Sequence, residues 1–156
     1  MIESEDIRVS IKAIIVKDNM LLTAKKEDKE GYFYVIPGGG QEHSETIEDA
    51  LIRECIEEIS VKVKIKRLLF IRDYIGKTHN FMDHGHKNVH QVEIMFEAEI
   101  AEGVPANGIG SDTGQIGVEW LSLNELHKFR LFPKVLIPYL KDYTNLKDAV
   151  YLGDVN

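Results

Sequence analysis

The sequence has few of the residues that staple a chain, anchor it to a membrane or mark it for nucleic acid. Among 156 residues there is one cysteine, Cys55, so no internal disulfide can form and a reducing compartment suits the chain. Four prolines, and twelve glycines without a repeating period, exclude a collagen-like or proline-rich chain. No apolar run approaches the roughly 20 residues of a membrane-spanning helix. The opening Met1-Ile2-Glu3-Ser4-Glu5-Asp6 is acidic where a secretory signal is basic and then apolar. A cytoplasmic protein without a membrane partner is therefore expected. Basic residues are also scarce, 19 Lys and Arg against 26 Asp and Glu for a net charge of −7. They form no cluster, which argues against nucleic acid as the partner, because neutralising a phosphate backbone needs grouped cations. A nucleotide bound through metal ions is compatible with this balance.

What is present is a globular composition, 44% hydrophobic and 29% charged. Residues 1–156 are expected to form a single domain, long enough to bury roughly 70% of the surface of the unfolded chain. Val9, Ile11, Ala13 and Ile15 predict a strand, and Asp18-Asn19 followed by Met20-Leu21-Leu22-Thr23-Ala24 predicts a hairpin. Tyr32–Ile36 reads as a short strand stopped by a turn at Pro37-Gly38-Gly39-Gly40. The period then changes. Thr46 stands as a helix cap with Asp49 three residues later, and Ile47, Leu51, Ile52, Cys55, Ile56 and Ile59 form a broad apolar stripe, predicting a helix over Ile47–Ile59. Strands are predicted over Val61–Ile71, Val92–Ile100 and Val118–Leu121, with a polar, His-rich loop at about Tyr74–Asn88. Gly103–Gly117, with five glycines, reads as an exposed loop, because Gly108-x-Gly110-x3-Gly114 has the wrong spacing for a dinucleotide fingerprint. Ser122 starts a short helix, Pro133 suits a first helical turn, and Pro138 kinks whatever helix runs to Tyr143. Strands mixed with two or three helices indicate an α/β or α+β layered domain.

The charge is not spread evenly. Between Gly39 and Val61 stand seven acidic residues, Glu42, Glu45, Glu48, Asp49, Glu54, Glu57 and Glu58, and one basic residue, Arg53, so this window carries −6 of the −7. On a helix, Glu54, Glu57 and Glu58 stand at i, i+3 and i+4, within an arc of about 100°. Like charges at that spacing repel by a few tenths of a kcal/mol per pair. A divalent cation removes the conflict, and hard carboxylate oxygens without clustered Cys or His favour Mg²⁺, with Mn²⁺ as a substitute, over zinc. An acidic helix face is more often simply solvated. Here, however, Arg53 lies beside the cluster and a glycine turn leads backbone groups toward it.

Gly39, five residues, Glu45, seven residues, then Arg53-Glu54-Cys55-Ile56-Glu57-Glu58-Ile59-Ser60-Val61 closely resembles the Nudix box, Gly-x5-Glu-x7-Arg-Glu-U-x-Glu-Glu-x-Gly-U, where U is bulky and apolar. Tyr34–Gly40 and Glu119–Leu126 resemble the elements that flank the box, so the likeness covers about residues 8–142. Ser60 stands in place of the final glycine, Ser44 stands where many members have glycine, and Cys55 fills a U position as a packed core side chain. The resemblance implies an α/β (α+β) fold, an α/β/α sandwich with a mixed β-sheet. It implies a Mg²⁺-dependent pyrophosphohydrolase acting on a nucleoside diphosphate linked to another moiety, a modified nucleoside triphosphate or an ADP-sugar, and a homodimer is common in the family. Glu54, Glu57 and Glu58 would bind the metal, with the Gly39 carbonyl as an added ligand. Arg53 would orient the glutamates, and Glu45 would support the loop–helix–loop. Glu57 or Glu58 would serve as the base, with Glu93 and Glu119 as candidates outside the box.

The remaining candidates come from the central loop and its flanks. Lys77, Arg72 and Glu93 are expected at the substrate, while Tyr32, Phe33 and Phe81 are candidates for stacking on a base. His79, His84, His86 and His90 lack a carboxylate or cysteine at zinc-ligand spacing, so no zinc site is expected. A binding or sensor module of the same fold is the alternative function, but such modules typically lose box glutamates and this chain keeps all of them.

Overall fold

The computed structural model describes residues 6–79, 88–111 and 114–156. In chain order it contains β1 (Arg8–Lys17), β2 (Met20–Asp28), β3 (Gly31–Val35), β4 (Gly38–Gly40), α1 (Ile47–Ile59), β5 (Lys62–Ile75), β6 (His90–Glu102), β7 (Gln115–Ser122), β8 (Leu131–Phe132), α2 (Leu136–Leu140) and β9 (Val150–Asp154). The strands make one curled mixed sheet in the order β8, β3, β2, β1, β6, β5, β9, with β4 added to β1 and β7 added to β2. β1 runs parallel to β6, and β5 runs antiparallel to β6. Among the described residues no helix is long and apolar enough to cross a membrane.

Local signals explain several elements. The β1–β2 hairpin pairs Val16 with Leu21 and Lys17 with Met20 across a two-residue loop. Asp18 and Asn19 hold φ of 51° and 61°, the left-handed pair that a tight hairpin needs and that short polar side chains tolerate. Helix α1 has the predicted limits. The Thr46 hydroxyl accepts from the Asp49 amide at 3.1 Å, satisfying one of the donors left open in the first turn. Its C-terminal residue Ser60 adopts φ 62° and ψ 26°, the left-handed geometry for which glycine is the unstrained choice.

Alternation along the strands sorts side chains to two cores. On one face Ile11, Ala13, Ile15, Leu22 and Ala98 pack against Ala50, Leu51, Cys55 and Ile59 of α1. On the other, Ile14, Leu21, Tyr34, Phe70, Met95 and Leu121 are covered by Leu123, Leu126, Leu136 and Leu140. The result is an α/β/α sandwich whose second outer layer is thin, a 3₁₀ turn (Leu123–Lys128) and the five-residue α2. Pro138 lies inside α2, and Pro133 precedes it rather than starting it. Bulges along β5 let Leu69 and Phe70 both reach this second core.

Other expectations need correction. Gly38–Gly40 is a strand paired antiparallel with Ser10–Lys12, because β1 offers an open edge there and glycine does not obstruct the approach. Ile56 is 50% exposed, so the apolar stripe of α1 is narrower than the sequence implied, and Glu58, 3% exposed, takes a buried position instead. Gly103–Gly117 is not a free loop: its middle is bonded to the end of α1, and β7 already begins at Gln115. β9 was not anticipated at all. It adds in parallel to the edge of β5, where Tyr151 donates to Asp73 and the Asp154 carboxylate accepts from the Ile75 amide and contacts His79. His84, His86 and Phe81 lie outside the described residues.

Two outcomes follow for stability. Ser60→Gly relieves the left-handed strain and is expected to stabilise the protein by about 1 kcal/mol in urea denaturation. The Tyr151 hydroxyl and then His90 hold Asp73 below the ordinary carboxylate range. Burial pushes Asp154 up, but the Ile75 amide, His79 and Thr78 outweigh it and leave it lowered. Carboxyls with lowered values stabilise the fold above their unfolded value and lose that contribution as pH falls through the folded one. Protection of the β9 amides, corrected for the intrinsic exchange rate, is therefore expected to fall below about pH 4 before that of β1 or β6.

Candidate active site around the acidic helix

The site is built where the loop after β4 turns into α1. Glu45 is tied into that loop, its Oε1 accepting from the Glu42 amide at 2.7 Å and its carbonyl from Gln41 Nε2 at 2.8 Å. Arg53, two helical turns further on, reaches back to it. Arg53 Nε and Nη2 donate to the two Glu45 oxygens at 3.1 and 2.7 Å, a bidentate fork. The same guanidinium donates through Nη2 to the Gly40 carbonyl at 2.9 Å and through Nη1 to Glu54 at 2.9 Å and Glu57 at 3.1 Å. These contacts hold Glu45 below the ordinary carboxylate range, the Arg53 bonds first and the Glu42 amide second. Arg53 is pushed further up, chiefly by Glu45 and against the opposing effect of its own burial.

Gly39 lies hard against the Glu54 carboxylate. A Cβ there would lie 2.3 Å from Glu54 Oε2, so the strand backbone and the Glu54 carboxylate touch directly. Glu54 is mostly covered, Glu57 is about half exposed and Glu58 is buried. Among the described residues no three Asp, Glu, His or Cys side chains converge into a finished metal set, and Arg53 stands between Glu54 and Glu57 as their counter-charge. The donors are nonetheless of the right kind for a hard divalent cation: three carboxylates on one helix, with the Gly39 backbone close to the first of them.

The opposite face of the sheet carries cations. Glu93 pairs in register with Ser10 and Arg72, and its carboxylate accepts from Arg72 Nε at 2.5 Å. Both residues are buried. Burial pushes Glu93 up, but Lys12, Arg72 and Arg8 together outweigh it and keep the carboxyl below its ordinary range. Arg72 also donates to the Val155 carbonyl at 2.5 Å, so β9 and its tail fix the guanidinium. Arg8 lies against Gly40. The β4 glycines thus leave one strand of backbone between Glu54 on the α1 face and Arg8 on the other. Sequence reading missed Arg8 and Lys12, since neither belongs to a basic run and only the β1–β6 register gathers them.

Other candidates are elsewhere. Lys77 is exposed in the short turn Gly76–Thr78 beyond β5, and no described contact joins it to the carboxylates. Glu119 pairs with Thr23 on the face away from α1, 3.7 Å from Lys25. Phe33 packs edge-on against Phe132, while Tyr32 is 51% exposed beneath Lys25. Cys55 is fully buried, its thiol pushed up to about 12 by burial and then by the Glu58 and Glu54 charges, so it is a packing residue and not a nucleophile.

The family model described as the NUDIX domain matches residues 6–140. An ADP-ribose pyrophosphatase from Methanocaldococcus jannaschii is 30% identical over 148 residues, 90% of this chain and 75% of that protein. Among solved structures, a NUDIX hydrolase from Nitrosomonas europaea superposes with a TM-score of 0.69 at 19% identity, covering 89% of each chain. A MutT protein from Bacillus halodurans does so with a TM-score of 0.69 at 22% identity, covering 93% of this chain and 87% of that one. These two likenesses establish the fold.

Arg53→Lys keeps the charge and loses the fork. It is expected to destabilise the protein by about 1–2 kcal/mol in urea denaturation. It should also weaken Mn²⁺ binding, measured by titration without nucleotide, because Glu54 and Glu57 lose their common donor.

Proposed function

This chain belongs to the Nudix family and is a hydrolase acting on pyrophosphate bonds, and on that premise we propose that it cleaves a nucleoside diphosphate linked to another group, with ADP-ribose the foremost substrate. The observation that carries this reading is the Arg53 guanidinium shared by Glu45, Glu54, Glu57 and Gly40. It holds Glu45, Glu54 and Glu57 in one geometry beside the glycine strand β4. The ADP-ribose choice draws support from the name of the 30%-identical relative.

Glu54, Glu57, Glu58 and the Gly39 carbonyl would hold Mg²⁺, with Mn²⁺ as a substitute. Bound there, the ion supplies charge screening of the pyrophosphate, polarisation of a phosphoryl oxygen and a lowered pKa for the attacking water. The work of the chain's own residues is orientation and proton transfer. Water attacks phosphorus, the bridging P–O bond breaks, and the water's proton passes to a carboxylate, Glu57 or Glu58. From ADP-ribose the products are AMP and ribose 5-phosphate. Glu57, about half exposed, is the more accessible to water, while Glu58 is buried. Arg53 is a positioning residue. Arg72, with Arg8 and Lys12, supplies positive potential for the anionic substrate, Glu93 holds Arg72 in place, and Lys77 reaches the phosphates from the loop.

The test is a panel of ADP-ribose, ADP-sugars and modified nucleoside triphosphates, scored for nucleoside monophosphate and phosphate release with Mg²⁺, Mn²⁺ or chelator. Metal-dependent AMP release from ADP-ribose is expected, and the residue carrying the base role should lose about a hundredfold or more in kcat as Glu57→Gln or Glu58→Gln. Release that ignores the metal would overturn the metal role, and no release from any compound would overturn the proposed activity. Tight binding without turnover would instead support a sensor module.

A further inference from the structure

The glycine-rich stretch that matched no nucleotide fingerprint does something else. A helix leaves its last carbonyls without partners inside the helix. At the end of α1 the chain itself covers two of them, Ser60 N donating to Ile56 O and Val61 N to Cys55 O. The next three are covered from the loop before β7: Gly110 N donates to Glu57 O at 3.0 Å, Gly108 N to Glu58 O at 2.9 Å and Ala106 N to Ile59 O at 3.1 Å. The approach is so close that a Cβ on Gly108 would lie 2.0 Å from Glu57 O.

Apolar contacts contribute little to holding this loop. Val104 and Ile109 are 81% and fully exposed, so docking depends on the polar contacts. Gln115, 7% exposed at the start of β7, locks them: its Nε2 donates to Glu58 O at 3.0 Å and to Asn107 Oδ1 at 2.9 Å. Asn107 returns a bond from Nδ2 to the Gln115 carbonyl at 3.3 Å. With Nε2 between two carbonyl oxygens, the amide orientation is determined, because the flipped form would set oxygen against oxygen. Among the described residues the other amide atom, Oε1, is buried without a hydrogen-bond partner. Leaving a buried acceptor unmade costs stability, so a residue serving stability alone would be better replaced by an apolar one of the same shape.

We propose that Gln115 and the 106–110 loop are positioning elements that hold the backbone of Glu57 and Glu58 in the geometry their carboxylates need to take a divalent cation. The inference rests on the metal role given to those glutamates above. Two of the three glutamates assigned to the metal, Glu57 and Glu58, lie in the last turn of α1, where helices fray, and the loop removes that freedom. Gln115 touches neither metal nor substrate in this scheme and acts through the Glu58 carbonyl. Its loss does not orphan that carbonyl, which keeps Gly108 N, so the fold is expected to survive while the joint loosens.

The experiment is direct Mn²⁺ binding, followed by the electron paramagnetic resonance signal of the free ion without nucleotide, together with thermal melting. Gln115→Met is expected to weaken Mn²⁺ binding by about tenfold, the scale seen when residues behind a metal's ligands are removed. The exposed variant Asn107→Ala, which removes the outer half of the lock, should show a smaller loss, and it carries the test if Gln115→Met does not fold. Gly117→Ala, with open space around the added carbon, should bind like the native chain. At saturating metal the variants should keep the KM for ADP-ribose and lose kcat. Native Mn²⁺ affinity and kcat in a folded lock variant, with only a lower melting temperature, would overturn the positioning role alone. Mn²⁺ binding by the native chain without hydrolysis of the panel would overturn the proposed activity and leave this comparison valid. No Mn²⁺ binding by the native chain would overturn both.

Discussion

One guanidinium organises the acidic end of this molecule. Arg53 donates to Glu45, Glu54, Glu57 and the Gly40 carbonyl, acceptors that lie on the entry loop, on the helix and on a strand. Without it, three carboxylates would repel across a short distance and the loop would have no charge to close on. The planar five-donor fork is the reason a single side chain can do this, since a lysine ammonium has neither the reach in two directions nor the fixed geometry. The rest of the site follows from that joint: α1 is tied to β4, Glu54 is pressed against Gly39, and Glu57 remains about half exposed.

The glycine strand β4 gives the arrangement its second property. Because it has no side chains, carboxylates on one face and cations on the other approach within a backbone's thickness. The cations come from β1 and β5, and Glu93 lies between them, kept ionised by Lys12, Arg72 and Arg8 despite its burial. A substrate of adjacent phosphates needs both kinds of surface, an acidic one to carry metal and a basic one to meet unscreened charge. A net charge of −7 describes neither, because it averages over an acidic face and a basic one.

What was legible in the sequence was what short spacing determines. The limits of α1, the Thr46 cap, the Asp18-Asn19 hairpin and the i, i+3, i+4 carboxylates depend on residues within one or two turns of each other. The left-handed geometry at Ser60 was legible too, through the resemblance that marks the position as a glycine site. What was not legible depends on partners far along the chain. Gly38–Gly40 looks like a turn until β1 offers it an edge, and the loop at 106–110 looks mobile until the end of α1 offers it carbonyls. Likewise Ile56 and Glu58 are adjacent faces of one helix by periodicity, and only the position of the sheet and the docked loop decides which is buried.

The sequence by itself determined the chemistry of the donors: three carboxylates and an arginine at helical spacing behind a run of glycines, whose identity and local order no packing can change. The tertiary structure decided their use. It set Arg53 between the glutamates and not out in water, gathered Arg8, Lys12 and Arg72 from separate strands, and closed the end of α1 with a loop some fifty residues away in the chain. The division has a physical cause. Helical and turn geometry is encoded by neighbours a few residues apart, whereas strand pairing and the capping of open carbonyls bring together groups whose separation along the chain carries no local signal.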